Sequence, residues 1–297
     1  MKDAIKRLIT GTVVAFFLVT VLTVSTYQYI FLFLFLVLIS HIALHEFYLL
    51  KREKNRKKYG ELIGHLGSII ILAGLYINIM WSKGEQPGLA VIFEYPSFLN
   101  LFSVLFLLIL FAVFIAVLFL KVLHEEIDGA LQAAVHIVSG IIYITFPLSL
   151  VFFLMEKNDS IALVWLLAFM TIMSDTMGYV VGKLFGKHKI NSPVSPNKTW
   201  EGYLGGLVLQ VLLSSLFYMY IIQPWLGFSA FGSLEIAGVS FLIYISSVAG
   251  DLIESLIKRD AKIKDSGNIL PGHGGVLDRI DSFLVTIPVM VCITFFI

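Results

Sequence analysis

The sequence predicts an all-α protein that crosses a membrane about nine times. Hydrophobic residues make up 58% of the 297 residues and charged residues only 14%, whereas soluble domains carry about 25% charged residues. The mean hydropathy is +0.92. Apolar runs of about 20 residues, the length that spans a bilayer as a helix, recur along the whole chain. We therefore expect a polytopic integral membrane protein with no separate soluble domain.

The apolar runs define the elements in order. The candidate spans are residues 8–25, 28–50, 61–81, 98–121, 131–155, 161–184, 202–222, 234–257 and 277–297. Basic residues precede the first run as in a signal peptide, but no small-residue cleavage site follows, so we interpret it as a retained span. We expect residues 1–160 to form an N-terminal scaffold with lipid or dimer contacts. Residues 161–297 should form a catalytic half.

Basic residues predict the orientation of these spans. If the connections alternate between the two sides, all 21 Lys and Arg residues except Lys83 and Lys157 fall on the side of the N-terminus. Because Lys and Arg are enriched in cytoplasmic connections, the N-terminus is predicted to be cytoplasmic and the C-terminus external. The single cysteine, Cys292, excludes an intramolecular disulfide and a cysteine metal cluster.

The first polar cluster runs from Gly250 to Ser282. Asp251, Glu254, Ser255 and Lys258 have the spacing i, i+3, i+4, i+7 and share one face of a helix. Asp278, Asp281 and Ser282 repeat the start of this spacing in the next apolar run. A charged side chain near the centre of a membrane helix costs ~2.5 to 3.5 kcal/mol on insertion scales. These faces therefore require water, a counter-charge or a metal ion.

The second polar cluster runs from Ser174 to Gly202. Asp175, Gly178, Tyr179 and Gly182 share a helix face, and glycines on such a face allow another helix to approach closely. The predicted topology places both clusters in the cytoplasmic half of the membrane or its loops.

Together the two clusters resemble the phosphatidate cytidylyltransferases (CDP-diacylglycerol synthases). The matching residues of the first cluster are Ser255, Lys258, Arg259, Lys264, Asp265, Pro271, His273, Gly274, Gly275, Asp278, Arg279 and Asp281. Those of the second are Ser174, Asp175, Thr176, Ser195, Pro196, Lys198, Thr199, Glu201 and Gly202. Gly178 stands where we would expect alanine. The resemblance covers residues 175–282 strongly and the first 160 residues only in their apolar, helical character.

The resemblance implies an enzyme that transfers the cytidylyl group of CTP to phosphatidate with Mg²⁺, and a second cation is plausible. It implies a bacterial-type cell membrane, an active site facing the cytoplasm and contacts with membrane lipids. The implied metal ligands are Asp251, Asp278 and Asp281, and the implied catalytic residues are these three acids together with Lys258 and Arg259. The implied phosphate and substrate contacts are Lys258, Arg259, Asp175, Ser195, Lys198, Thr199, Glu201, Ser255, Lys264, Asp265, Gly272, His273, Gly274, Gly275 and Arg279. A homodimer is a further expectation.

Several residues also have structural interpretations. Asp251, Glu254 and Lys258 would neutralise one another if they paired on one helix face. Asp281 would suit a helix N-cap, and Asp278 a solvated loop.

In the second candidate span, His41 and His45 lie beside Glu46 at a spacing that a metal ion could use. Hydrogen bonding between helices is the alternative.

Two other functions remain open at this stage. A CTP-dependent polyprenol or phytol kinase would also bring CTP to a lipid, but it would release CDP. A cation-coupled transporter would use intramembrane acids, yet it typically shows symmetric halves with broken helices, which this sequence lacks. We expect no nucleic-acid partner.

Overall fold

The computed structural model describes residues 28–50, 59–82, 98–124, 127–156, 160–269 and 274–296. The regular elements of these ranges are helices: α1 Gln28–Leu50, α2 Tyr59–Ser82, α3 Phe98–Leu123, α4 Ala130–Gly140, α5 Phe146–Ser149, α6 Val151–Glu156, α7 Ser160–Phe185, α8 Trp200–Phe217, α9 Gln223–Leu226, α10 Ser233–Asp260 and α11 Leu277–Thr294. A single antiparallel bridge joins Lys189 to Thr199 within the described residues. The all-helical class predicted from composition is confirmed.

Seven helical segments of the described chain are long and apolar enough to cross a membrane. They are 29–50, 59–80, 105–123, 130–155, 161–185, 200–226 and 233–260, which match seven of the nine predicted spans to within a few residues at most ends. The first predicted span, 8–25, lies outside the described residues. The last corresponds to α11, where Asp278, Arg279 and Asp281 occupy the first turns and leave an apolar part shorter than about 20 residues.

The chain divides into two compact units. The N-terminal unit contains residues 1–152 together with Asp265–Asp278, and the C-terminal unit contains residues 153–264 and 279–297. The described parts of the segment Asp265–Asp278, which carries much of the sequence motif, therefore pack with the N-terminal helices.

Tyr48 organises the core of the N-terminal unit. It is fully buried on α1, and its hydroxyl donates a hydrogen bond of 3.1 Å to the carbonyl oxygen of Ile137 on α4. Gly64 and Gly140 give the ring its space, because a β-carbon on Gly140 would lie 2.6 Å from the Tyr48 ring and one on Gly64 would collide with the hydroxyl. The glycines thus allow an aromatic side chain to pack closely between helices.

Three hydroxyl groups form a second buried contact in this unit. Ser40 on α1 lies 3.0 Å from Ser68 on α2 and 3.1 Å from Thr145, and Thr145 donates to Ser68 over 3.0 Å. All three side chains are almost inaccessible to solvent. Each hydroxyl therefore has a partner in an environment where an unpaired polar group would be costly.

A widened helical turn precedes a proline in each unit. Ile141–Thr145 is a π-helical turn followed by Pro147, and Tyr218–Ile222 is a π-helical turn followed by Pro224. Proline has no backbone N–H and its ring collides with the carbonyl four residues earlier. A turn with i→i+5 hydrogen bonds removes this collision while the helix continues.

In the C-terminal unit, α7 and α8 pack through the predicted glycine face. A β-carbon on Gly206 would lie 2.8 Å from the α-carbon of Gly178, and one on Gly202 would lie 3.1 Å from that of Gly182. The prediction that these glycines allow close helix approach is confirmed. The same contact brings Asp175, which lies on α7, close to the neighbouring helices.

Helices α10 and α11 also meet at a glycine. A β-carbon on Gly250 would lie 2.6 Å from the carbonyl oxygen of Asp281 and 2.9 Å from the α-carbon of Ser282. The Ser282 Oγ atom lies 3.2 Å from the carbonyl oxygen of Ser247. Asp251 and Asp281, adjacent to these contact residues, are thereby held on neighbouring helices.

Candidate active site

Asp175 lies at the centre of the polar residues of the C-terminal unit. Its Oδ1 atom accepts hydrogen bonds of 3.2 Å from the hydroxyls of Ser247 on α10 and Ser282 on α11. One carboxylate on α7 is therefore held by two other helices. Ser247 lies one helical turn before Asp251 and was not among the predicted site residues. In the sequence, Ser247 is recognisable as a hydroxyl residue four positions before Asp251, on the same helix face.

Asp251 lies on α10 and forms an ion pair with Lys198, which precedes α8. The Lys198 ammonium also lies 5.3 Å from the centre of the Tyr203 ring. Burial alone would lower the pKa of Lys198, but the charge of Asp251 and the hydrogen bond to it outweigh burial, so the pKa lies above its ordinary value of 10.5. Lys198 is therefore a cation at neutral pH beside the acids.

Asp281 brings a third carboxylate to the same region. It is 8% exposed, and its Oδ1 atom accepts a hydrogen bond of 2.7 Å from the backbone N–H of Ser282. The carboxylates of Asp175, Asp251 and Asp281 are close enough to repel one another electrostatically. Three acids from three helices thus converge near one lysine, an arrangement in which a cation would be favourable.

The loop between α7 and α8 positions Lys198. The backbone N–H of Ile190 donates to the carbonyl oxygen of Lys198, and that of Trp200 donates to the carbonyl oxygen of His188. These two hydrogen bonds form a short antiparallel bridge. Thr199 ends the loop as the N-cap of α8, with its hydroxyl accepting from the N–H of Gly202 over 3.2 Å. This threonine therefore has a structural role in addition to its predicted phosphate contact.

The other predicted residues of this loop also have partners. Glu201 accepts hydrogen bonds from the backbone N–H and the imidazole of His188. The carbonyl of Ser195 accepts from the backbone N–H of Lys198 over 3.4 Å. These contacts keep the loop compact beside the start of α8.

The basic residues at the end of α10 make local contacts. Lys258 forms an ion pair with Glu254, which is 1% exposed. Arg259 donates to the carbonyl oxygen of Ile263 over 3.0 Å. The structural interpretation, in which Asp251, Glu254 and Lys258 pair together, thus holds for Glu254 and Lys258, while Asp251 pairs with Lys198. Ser255 contacts Asp251 at 3.4 Å.

Asp265–Asp278, which we call the signature loop, belongs to the N-terminal unit. The Oδ2 atom of Asp278 accepts hydrogen bonds from the backbone N–H groups of Ser266 (2.9 Å) and Gly275 (2.8 Å). Gly274 has a left-handed backbone with φ of 81°, which a glycine adopts without strain. The Gly275 N–H, one candidate donor to a phosphate, is therefore directed at Asp278 in this structure.

Three further predicted residues, at the ends of the signature loop, are exposed. Asp265 lies at the start of the loop, Lys264 directly before it and Arg279 directly after it, each with a solvent-accessible side chain. Gly272 and His273 lie outside the described residues. Their predicted substrate contacts stay predictions.

Glu46 on α1 is a loop contact that sequence reasoning did not find. It is 2% exposed and accepts hydrogen bonds from the backbone N–H groups of Val276 (3.0 Å) and Leu277 (2.8 Å) and from the Ser266 hydroxyl (3.1 Å). The available signal was a carboxylate inside an apolar helix, which requires a partner.

The histidines near Glu46 form a separate group. The rings of His41 and His65 are 4.1 Å apart between centroids, and those of His45 and His65 are 6.4 Å apart. Across the described residues, no three His, Cys, Asp or Glu side chains are arranged to hold a metal ion. A metal site at His41 and His45 therefore gains no support.

The donor chemistry of the C-terminal unit nevertheless suits Mg²⁺. This ion prefers a few carboxylate oxygens and completes its coordination with water and substrate phosphate oxygens. Asp175, Asp251 and Asp281 supply carboxylates that already repel one another. Asp278 is engaged with two backbone N–H groups, so its role as a ligand stays a prediction.

The helices are long and apolar enough to span a membrane, and they bring several carboxylates together beside a lysine. These features define a polytopic integral membrane protein with an ionisable site, the kind of site that serves catalysis or transport. The chain belongs to the cytidylyltransferase family, whose family model matches residues 5–297.

Individual relatives share part of this chain. A phosphatidate cytidylyltransferase of Mycobacterium leprae is 41% identical over 133 residues, which is 44% of this chain and 40% of that protein. The enzyme of that name from Bacillus subtilis is 44% identical over 124 residues, 39% of this chain and 40% of the relative. Phosphatidate cytidylyltransferase 4 of Arabidopsis thaliana chloroplasts is 47% identical over 117 residues, 39% of this chain and 28% of the relative. The chain thus matches less than half the length of these relatives.

Proposed function

We propose that this protein is a phosphatidate cytidylyltransferase, which makes CDP-diacylglycerol and pyrophosphate from CTP and phosphatidate. The observation that carries the proposal is the convergence of Asp175, Asp251 and Asp281 beside Lys198 in a chain of the cytidylyltransferase family. The names of the relatives support the choice of lipid substrate.

The reaction joins two anions. A phosphate oxygen of phosphatidate attacks the α-phosphorus of CTP, a new P–O bond forms there, and the bond between the α-phosphorus and its bridging oxygen to the β-phosphorus breaks. Pyrophosphate leaves with that bond's electron pair. Because the attacking oxygen is already anionic, no general base is required. Positioning and charge stabilisation should provide most of the acceleration.

The chain's own residues divide this work. Lys198, a cation at neutral pH, is suited to neutralising a phosphate oxygen in place of its contact with Asp251. Lys258, Arg259, Lys264 and Arg279 supply further positive charge at the end of α10 and around the signature loop. Ser247 and Ser282 orient the Asp175 carboxylate through hydrogen bonds.

We further propose that Asp251 and Asp281 hold Mg²⁺ with Asp175 beside them, and that Asp278 contributes as the motif suggests. When bound, Mg²⁺ supplies Lewis-acid neutralisation of the phosphate charge. We include in this proposal that the same carboxylates bind a second cation. The carboxylate oxygens of Asp175, Asp251 and Asp281 and the repulsion between their charges support cation binding.

The positions of the basic residues support an active site that faces the cytoplasm, where CTP is found. With the N-terminus cytoplasmic and nine spans, the acids of α7, α10 and α11 fall in the cytoplasmic half of the membrane. Bacterial relatives support a bacterial-type cell membrane. A homodimer remains a prediction.

The decisive test is product identification with the full chain purified in detergent. We expect CTP and phosphatidate to yield CDP-diacylglycerol and pyrophosphate in equal amounts, with Mg²⁺ required. Release of CDP together with a phosphorylated lipid would instead identify a lipid kinase. If neither substrate is consumed and the protein transports a cation across the membrane of reconstituted vesicles, the enzyme assignment is wrong.

A further inference from the structure

We propose that Glu46, near the C-terminal end of α1, is a positioning residue of the enzyme, which holds both ends of the signature loop in their working conformation. The inference rests on the proposed function for its kinetic part only. Its structural part concerns contacts within the N-terminal unit and stands independently of the substrate.

The carboxylate of Glu46 serves both ends of the signature loop at once. Oε1 accepts from the N–H of Val276, and Oε2 accepts from the N–H of Leu277 and the hydroxyl of Ser266. The N–H groups at the start of a helix have no partner within that helix. Leu277 is the first residue of α11. Glu46 therefore supplies acceptors from outside the loop, where a local capping side chain would otherwise be needed.

The loop glycines fit this carboxylate. A β-carbon on Gly267 would collide with Oε1 of Glu46 and lie 2.9 Å from its carboxyl carbon. A β-carbon on Gly275 would lie 2.5 Å from Oε2. These glycines therefore make room for the side chain of Glu46.

Asp278 and Glu46 hold the same parts of the loop. Asp278 binds the backbone N–H groups of Ser266 and Gly275, while Glu46 binds the Ser266 hydroxyl and the N–H groups of the two residues that follow Gly275. If Glu46 were lost, Asp278 would be the one of these two acids that still accepts hydrogen bonds from this region. The position of Asp278, a motif residue, thus depends on α1.

Glu46→Gln is the sharpest probe, because glutamine keeps the size but replaces one acceptor oxygen with an NH₂ group that would face a backbone donor. Hydrogen–deuterium exchange of the full chain in detergent should show about tenfold faster exchange at Val276 and Leu277, with unchanged exchange in α2. Glu235→Gln is the matched control. Glu235 is exposed and caps the start of α10 through the N–H of Gly232, so its loss should leave the signature loop unchanged.

The kinetic readout separates positioning from folding. We expect Glu46→Gln to raise the KM for CTP and lower kcat by about tenfold while the KM for phosphatidate stays within twofold, since the loop carries the motif glycines and Lys264 and Arg279 flank it. Glu235→Gln should match the wild type. Unchanged exchange at Val276 and Leu277, or equally faster exchange throughout the chain, would overturn the inference. Absence of wild-type activity with normal loop exchange would overturn only the proposed function.

A second pair of variants covers the case in which Glu46→Gln does not fold. Gly267→Ala should lower the unfolding temperature of the wild type, because its methyl group meets Glu46. The same substitution should cost much less in a Glu46→Ala background. An equal cost in both backgrounds would show that Gly267 is not matched to Glu46 and would overturn the inference.

Discussion

At the scale of single residues, the first prediction concerns the effect of the acids of the C-terminal unit on CTP turnover. Asp281→Asn removes one of three mutually repelling carboxylates without changing its size. We expect CTP turnover to fall at least ~100-fold, with normal membrane insertion and an unchanged elution volume in detergent. Asp260→Asn is the control, because Asp260 lies exposed at the end of α10 and should be neutral. Near-normal turnover in Asp281→Asn would reject the role of this acid.

Lys198 gives a prediction for pH dependence. Its pKa in the folded protein is raised above the ordinary value of 10.5. The stabilisation from its ion pair with Asp251 is therefore fully present below the unfolded-state pKa and is lost as the pH rises through the folded-state pKa. We expect the unfolding temperature of Lys198→Met to be lower than that of the wild type at neutral pH. The difference should narrow on the strongly alkaline side, and a difference that widens there would contradict the assignment.

At the scale of elements, the contact between α7 and α8 depends on glycine. Gly206→Ala should destabilise the protein by about 1 to 3 kcal/mol, because the new methyl group would lie 2.8 Å from both the α-carbon of Gly178 and the Tyr244 hydroxyl. Gly238→Ala is the matched control on α10, with no atom within 4 Å of the added carbon. Equal unfolding temperatures for the two variants would argue against close packing at Gly206.

The end of α10 offers a stabilising substitution. The N–H of Ile263 binds the carbonyl of Lys258 and that of Lys262 binds Arg259, the pattern of a Schellman C-cap. The left-handed residue of this cap is Lys262, with φ of 57°. Lys262→Gly should therefore raise the unfolding temperature, with a gain of up to ~1 kcal/mol. Ala261→Gly, at a right-handed position, should lower it, and the opposite order would exclude backbone strain at Lys262.

The sequence predicted those elements whose cause is local. Apolar length gave seven of the helices, and the spacing of Gly178 and Gly182 gave the close contact with α8. The π-helical turns were not predicted, because a proline after an apolar run is equally compatible with a kink or a helix end. The predicted last span, 277–297, matches α11, Leu277–Thr294, to within three residues.

At the scale of the whole molecule, the membrane topology is open to a direct test. The only cysteine is Cys292, so a Cys292→Ser chain provides a cysteine-free background. A membrane-impermeant maleimide should label Lys157→Cys in intact cells but Lys187→Cys only after permeabilisation, as the positive-inside rule requires. The reverse pattern would invert the orientation and place the acidic site on the outer side.

The candidate site was predictable where its residues are close in sequence or share a motif. Asp175, Lys198, Asp251 and Asp281 were all identified, but the partners of each acid were not. Spacing suggested that Asp251 pairs with Lys258, whereas the structure pairs it with Lys198. Glu46 was missed because 220 residues separate it from Ser266, and no periodicity in one helix indicates a contact over that distance.

The same separation has a consequence for biosynthesis. At 5 to 20 residues per second, a ribosome needs roughly 10 to 45 s to reach Ser266 after it has made Glu46. Throughout that interval the nascent second span carries an acid whose eventual hydrogen-bond donors do not yet exist. We expect α1 to remain beside the insertion machinery or near the lipid headgroups until the last spans emerge. Completion of translation would then allow Glu46 to form its hydrogen bonds with the signature loop.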